Sequence, residues 1–238
     1  MSHVTGTPRH SGPSSAPAGL VVLCLLAAAA MGQTSPQKVE GWGAFVDAGG
    51  QCKVRLEGTR VMIETPAGSF DLWPEGKTTN APRLLQDASG DFTVQVKTVG
   101  TVMGEKGAEA TGRDVAFNAA TLVIWQDENN FVRIDRAGMH KAGARYHQTY
   151  FHINQDGKRT VQLSQRLAEK DSWLQLERRG GKITAGWSED GTTWKTYPVQ
   201  DAKLADRVKV GVAALNSSTK AFVAAFEELK VTPAEKDR

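Results

Sequence analysis

The stretch YHQTYFHINQ, Tyr146 to Gln155, sorts its side chains into two kinds. Successive residues of a strand point to opposite faces. If extended, the segment sends Phe151 and Ile153, with His147 and Thr149, one way, and Tyr146, Gln148, Tyr150, His152 and Asn154 the other. Aromatic rings accept the apolar faces of sugars, and amides, acids and arginine satisfy hydroxyls, so this wall has the composition of a carbohydrate platform. Two neighbouring segments extend it. In RTVQLSQ, Gln162 and Ser164 fall beside Tyr150 and His152 while Val161 and Leu163 turn inward. In FVRIDR, Arg133 and Asp135 oppose Val132 and Ile134. Among the tryptophans Trp73, in DLWPEG, is expected to be the most exposed, because Pro74 follows it and charges flank it. The candidate ligand-binding set is therefore Tyr146, Gln148, Tyr150, His152, Arg133, Asp135, Gln162 and Trp73. Tyrosine and polar residues also favour strands on their own account. An ordinary solvated sheet face fits the same pattern, and both readings stay open.

Other chemistries find less support. The Gly-x-Ser-x-Gly turn that exposes a nucleophilic serine is missing, as is a glycine-rich phosphate loop. Glycosidases need two carboxylates about 5–9.5 Å apart. The adjacent acids Asp127-Glu128 and Glu189-Asp190 would point opposite ways in a strand and read as solvated turn acids. SEDGTTW, Ser188 to Trp194, approaches the Ser-x-Asp-x-Gly-x-Thr-Trp box but is one residue short and occurs once. It is assigned to a hairpin turn with Trp194 packed over it. His147 and His152 fall on opposite faces, which argues against zinc. The acids and amides of DENN, Asp127 to Asn130, offer oxygens to a hard cation, but fewer than the 6–8 such ions take. No cofactor is expected, and a structural calcium stays open.

Behind these residues stand the elements that must hold them. The first 32 of the 238 residues combine a Ser/Pro/Gly-rich lead without acids, the apolar run Leu20–Ala30 and the small residues Ala30-Met31-Gly32. That run falls short of the roughly 20 residues needed to span a bilayer. Residues 1–32 are expected to be a signal peptide cut near Gly32, giving a secreted or periplasmic protein, with a retained N-terminal anchor as the alternative. Residues 33–40 read as a linker, 41–233 as one domain and 234–238 as a tail. Removing the leader takes away Arg9 and no acid, so the formal charge of +3 becomes +2. The charges are dispersed, without the basic stripe that nucleic acid demands. Cys52 is then the one cysteine left, so no internal disulfide can form, and it is read as a buried thiol in the first strand.

From Cys52 onward apolar and polar residues alternate between turn signals. About ten strands are expected, with hairpins at Gln126–Asn130, Asp156-Gly157, Gly180-Gly181 and Asp190-Gly191. DAKLADR has the composition of one helical turn, and NAPRLLQDAS is ambiguous because Pro82 disfavours helix before it. Many antiparallel strands with little helix imply an all-β fold of two sheets packed face to face.

The chain also resembles a family. GSFDLWPEGKTTNAPRLLQDASGDFTVQVK, LVIWQDENNFVRIDR, WLQLERRGGKITAGWSEDGTTW and AFVAAFEELKV are similar, in that order, to concanavalin A-like sandwich domains. Such domains occur at the C-terminus of β-xylosidases and as stand-alone secreted bacterial proteins. The resemblance, over about Gly41 to Thr232, implies a two-sheet antiparallel β-sandwich of jelly-roll type with one concave outer face. The Glu-x-Asp-x-x-Glu run of sandwich glucanases is missing. The expectation is a secreted, non-catalytic domain that binds carbohydrate on the concave sheet, without nucleic-acid partners or a membrane span in the mature chain. The alternatives are a glycan-active enzyme with catalytic residues not evident in the sequence, or a protein-interaction module of the cell envelope. A loop such as MGEKGAEATGRD, residues 103–114, could cover the face.

Overall fold

Apolar residues at every second position need two layers to bury them, and this chain folds into two antiparallel sheets. The computed structural model describes residues 37–109 and 115–234. The expected leader, residues 33–36 of the expected linker and residues 235–238 lie outside the described residues. In chain order the strands begin with β1 (Lys38–Val39), β2 (Gly43–Val46), β3 (Lys53–Glu57), β4 (Arg60–Thr65) and β5 (Gly68–Phe70). After a 3-10 turn at Pro74–Gly76 come β6 (Arg83–Ser89), β7 (Phe92–Val99), β8 (Val115–Trp125), β9 (Phe131–Lys141), β10 (Ala144–Gln155) and β11 (Lys158–Arg166). The remainder are β12 (Ser172–Arg179), β13 (Lys182–Ser188), β14 (Trp194–Thr196), β15 (Gln200–Asp201), β16 (Arg207–Ser218) and β17 (Phe222–Pro233). The first sheet runs β1-β2-β6-β16-β8-β9-β10-β11, with β5 also on β16. The second runs β14-β13-β12-β7-β17-β4-β3, with β15 on β13.

The described strands number more than the ten expected because short edge pieces carry no readable alternation. Lys38 and Val39, placed in the linker by sequence, form β1, and Val39 is buried in the core. Where DAKLADR predicted a helical turn, Gln200 and Asp201 instead pair with β13. The ambiguous NAPRLLQDAS becomes β6. Cys52 precedes the strand in which it was expected and is half-buried, its amide donating to the Asp47 carboxylate at 2.7 Å. Burial first, and then Asp47, pushes its thiol pKa up to about 12, which disfavours the thiolate.

The predicted hairpins form as the turn residues require. Asp156 and Gly157 both take positive φ, 51° and 74°, the geometry that matches the twist of the flanking strands. At the Ser188–Thr193 turn, Asp190 Oδ1 accepts from the amides of Thr192 and Thr193 at 2.8 and 2.6 Å. The indole closing over Gly191 is Trp173, not Trp194 as predicted.

Two apolar layers result. Between the sheets, Phe151, Ile153, Ile134 and Leu122 meet Val94, Val96, Leu174 and Phe226, each fully or nearly fully buried. The second layer lies on the outer face of the first sheet. There Val123, Trp125, Phe131 and Leu215 are roofed by Leu72 and Ala81. The roof is the segment from Phe70 to Ala81, folded on itself by local bonds. Trp73 N donates to Thr78 O at 2.6 Å, and Asn80 Oδ1 accepts from Asp71 N at 3.2 Å. Gly76 is needed here, because a Cβ would sit 2.3 Å from the Trp73 ring. Strand β9 is consequently buried on both faces from Phe131 to His140.

The loop considered as a cover goes elsewhere as far as residue 109, and its residues 110–114 lie outside the described ones. In its described part, Gly104 N donates to Gly138 O and Asn118 Nδ2 to Met103 O at 3.4 Å each, and the His140 ring bonds Gly104 O. Residues 103–109 thus close one end of the sandwich on the inward face of β8 and β9.

Phe151 supplies the test of this layering. Phe151→Ala removes a fully buried ring from between the sheets and should cost about 3–5 kcal/mol. For a domain of this size that lowers Tm on the order of 10 °C, read by thermal denaturation; an unchanged melt would refute the assignment of that face.

Candidate ligand-binding site

The register of the first sheet lines its outer side chains up in rows. One row is Ala213, Thr121, Asp135, Tyr150 and Ser164 across β16, β8, β9, β10 and β11. The next is Gly211, Val123, Arg133, His152 and Gln162. Side chains directly opposite on antiparallel strands lie close enough to bond. Where these rows emerge from under the Phe70–Ala81 roof they leave a depression of about 230 Å3. Asp71, Arg133, Tyr150, His152, Arg159 and Gln162 line it, with Val115, Phe117 and Met139 on its apolar side. Tyr150 meets Phe117 edge-on, with ring centroids 6.5 Å apart.

Arg133 organises the polar side. It is 3% exposed and donates to Asp71 Oδ1 from Nη1 at 3.2 Å and to His152 Nδ1 from Nε at 3.0 Å. Asp135 Oδ2 lies 3.6 Å from the same Nε, and its Oδ1 accepts from Thr121 Oγ1 at 2.8 Å. Because His152 Nδ1 spends its lone pair on Arg133, the imidazole proton resides on Nε2. That Nε2–H is buried and makes no hydrogen bond, and neither does Asp135 Oδ2, whose contact is the ion pair with Arg133. Burial first, then the cations Arg133 and Arg159, hold the His152 imidazole well below the ordinary histidine range. Burial likewise raises the Asp135 carboxyl, outweighing the opposing pull of Arg133 and the Thr121 hydroxyl.

A β-bulge completes the site. Ile153 pairs with Val161 while the next residue, Asn154, pairs with Arg159, so Thr160 is an extra residue in β11. The bulge turns Arg159 to the same side as Gln162, and its Nη1 donates to Gln162 Oε1 at 2.8 Å. The Arg159 amide donates to Glu75 Oε1 of the roof at 3.0 Å.

Of the residues predicted from sequence, Tyr150, His152, Arg133 and Gln162 share the depression. Arg133 and His152 were expected to face water; they do face away from the inter-sheet core but are buried beneath the roof, at 3% and 5% exposed. Asp135 was expected to contact ligand directly, yet it is 0% exposed and lies beneath the floor. Gln148 stands one row over and takes the Tyr150 hydroxyl's hydrogen bond, which orients that ring. Tyr146, 38% exposed, belongs to a neighbouring hollow with Arg145 and Arg166. Trp73 is half-buried against Gly76 within the roof, its indole donating to Glu75 at 3.4 Å. Trp42, Trp125 and Trp187 are buried and serve packing; Arg83 lies 4.1 Å over the Trp125 ring.

Reasoning from sequence missed Asp71, Arg159, Phe117 and Met139. Continuing the alternation of β8 and β9 outward would have found Phe117 and Met139. The other two depend on the roof and on the bulge. In DENN the acid and amide oxygens that could meet a hard cation are in part hydrogen-bonded within the loop. Asp127 Oδ1 already accepts from the Asn129 and Asn130 amides, and Oδ2 from Gln126 Nε2 and Asn130 Nδ2. Among the described residues no three His, Cys, Asp or Glu converge as metal ligands.

Solved structures share this architecture. A functionally unknown protein from Saccharomyces cerevisiae superposes with a TM-score of 0.64 at 17% identity, over 82% of this chain and 98% of that one. The GH43 BlXynB protein from Bacillus licheniformis aligns with a TM-score of 0.54 at 14% identity. That alignment covers 84% of this chain but only 41% of the other, so this chain spans less than half of that protein. At such identities the likeness is one of fold, the two-sheet concanavalin A-like sandwich. No curated protein matches the sequence. The family described as "Protein of unknown function (DUF1349)" matches residues 52–234, from the approach to β3 to the end of β17, and the chain belongs to that family.

Proposed function

We propose that this chain is a secreted, non-catalytic sandwich domain that holds one ring of a glycan in the depression on the outer face of its first sheet. One observation carries the reading: an aromatic wall, Tyr150 with Phe117, stands beside buried polar groups that have hydrogen bonds still to make. Sugars offer that pair of surfaces, an apolar ring face and a rim of hydroxyls. A buried donor left unmade costs about 1–3 kcal/mol, and a ligand that supplies its acceptor recovers that amount. The volume, about 230 Å3, falls below the roughly 300–1,000 Å3 of sites that enclose drug-sized ligands. It suits a single ring of a longer chain that continues across the surface.

The carboxylates favour binding over hydrolysis. Asp71 is the acid that lines the depression, and it is already bonded to Arg133 and to the Leu72 amide. Asp135 is sealed beneath the floor, where it cannot meet a glycosidic oxygen. A hydrolytic reading draws on one feature, that these two acids flank Arg133 and that burial raises Asp135. Reducing-sugar release by the wild type, lost in Asp71→Asn, would favour it. Among the described residues no helix is long and apolar enough to cross a membrane.

Glycan-array screening followed by calorimetry tests the binding role. Tyr150→Ala should weaken binding of any array ligand by about tenfold, or about 1.4 kcal/mol, and Tyr150→Phe, which keeps the ring, should lose less. An array on which the folded protein binds nothing would overturn the proposal.

His152 supplies a second test. Unfolded, its imidazole takes up a proton near pH 6.5; folded, among Arg133, Arg159, Asp71, Asp135 and Tyr150, it resists one. The stability its neutral burial contributes is whole above about pH 6.5 and falls as pH drops below that. Between pH 7.5 and 5, Tm should fall more steeply for the wild type than for His152→Gln. Parallel profiles would mean that His152 is not held neutral.

A further inference from the structure

The unmet hydrogen bonds around the depression are mainly donors. His152 Nε2–H is buried, with the residue 5% exposed, and has no partner. Arg159 Nε is also buried and makes no hydrogen bond among the described residues, and its guanidinium donates to a neutral amide oxygen, that of Gln162. The acids nearby are committed elsewhere. Asp71 serves Arg133 and the Leu72 amide, and Glu75 receives the Arg159 backbone amide and the Trp73 indole. Asp135 lies under the floor and faces Arg133. Burial first, and then the nearby Arg133 cation, disfavour the Arg159 charge, while Asp71, Asp135 and Glu75 favour it. A neutral sugar hydroxyl can fill one such vacancy, but it brings no charge to a lining that holds two cations, Arg133 and Arg159, against one acid, Asp71. A carboxylate offers two acceptor oxygens and a charge, and charge-assisted bonds to guanidinium are roughly twice as strong as neutral ones.

We infer that the ring held here is a hexuronate, its carboxylate received by the Arg159 guanidinium and His152 Nε2–H while the sugar face lies against Tyr150. This rests on the glycan-binding reading and specifies its ligand class. An acidic polysaccharide is favoured over a free uronate because the depression, lined in part by Arg159 and Gln162 of β11, is open and holds about one ring of a longer chain. A free monosaccharide with the same carboxylate remains the competing source.

Calorimetry with wild-type protein separates these. The probes are oligomers of galacturonate, glucuronate and mannuronate, their carboxyl-reduced counterparts and the corresponding free uronates. One acidic oligomer should bind about tenfold or more tighter than its reduced form and tighter than the monomer. Added salt should weaken it, as expected for a partly exposed ion pair. In Arg159→Gln, at the rim of the hairpin, the ratio of acidic to reduced affinity should collapse to within about twofold, with Tm as the check on folding. If the monomer binds as tightly as the oligomer, the ligand is a free uronate and the polysaccharide assignment falls. Equal binding of acidic and reduced oligomers would overturn the inference while leaving the glycan site standing. A preference for acid that survives both Arg159→Gln and His152→Gln would overturn the residues assigned. Binding of no oligomer, acidic or neutral, would remove the glycan reading and the inference with it.

Discussion

Arg133 is a permanently charged side chain held almost out of water in the middle of a sheet, and the candidate site is arranged around that fact. A buried cation is tolerable only when acceptors surround it, and stranding one by removing its partner typically costs about 3–5 kcal/mol. Two strands and the roof contribute here. Asp71 comes from the roof, Asp135 from the same strand two residues on, and His152 from the opposite position on β10. The arrangement therefore ties the Phe70–Ala81 segment to the sheet electrostatically, while Leu72 and Ala81 tie it by apolar burial. It also determines the tautomer of His152, so a structural ion pair sets which hydrogen-bonding group faces the depression.

Much of this architecture was legible in the residues themselves. Period-two alternation separated Phe151 and Ile153 from Tyr150 and His152, and the polar loops at 126–130 and 156–157 marked the two hairpins that carry the site. Turn chemistry is local, and so is alternation; both survive without knowledge of the fold. Burial depth is not local. Nothing near Arg133 or Asp135 in the chain announces that they are dry, because their cover arrives from a segment 62 residues before Arg133. Asp71 was missed for the same reason. Trp73 sat in the right segment, but as part of the roof it turns onto Gly76 rather than toward the depression.

The second apolar layer also changes what the outer face of such a sandwich can do. An open sheet face would present a broad, flat platform. Roofing most of the face with Leu72, Ala81 and their neighbours leaves a small recess at β9, β10 and β11, where polar groups can be dried and oriented. Preorganised groups of this kind favour selectivity over breadth, since a ligand lacking the matching atoms leaves them unsatisfied.

The extra residue in β11 has a wider consequence. Strict alternation would put Arg159 on the side of Val161, between the layers; the bulge puts it outside with Gln162. Which way that cation points thus depends on counting residues near the hairpin tip, not on the interlocking of the interior. Relatives of this chain could switch the chemistry they recognise by gaining or losing one residue at that tip, and folding would scarcely register the change.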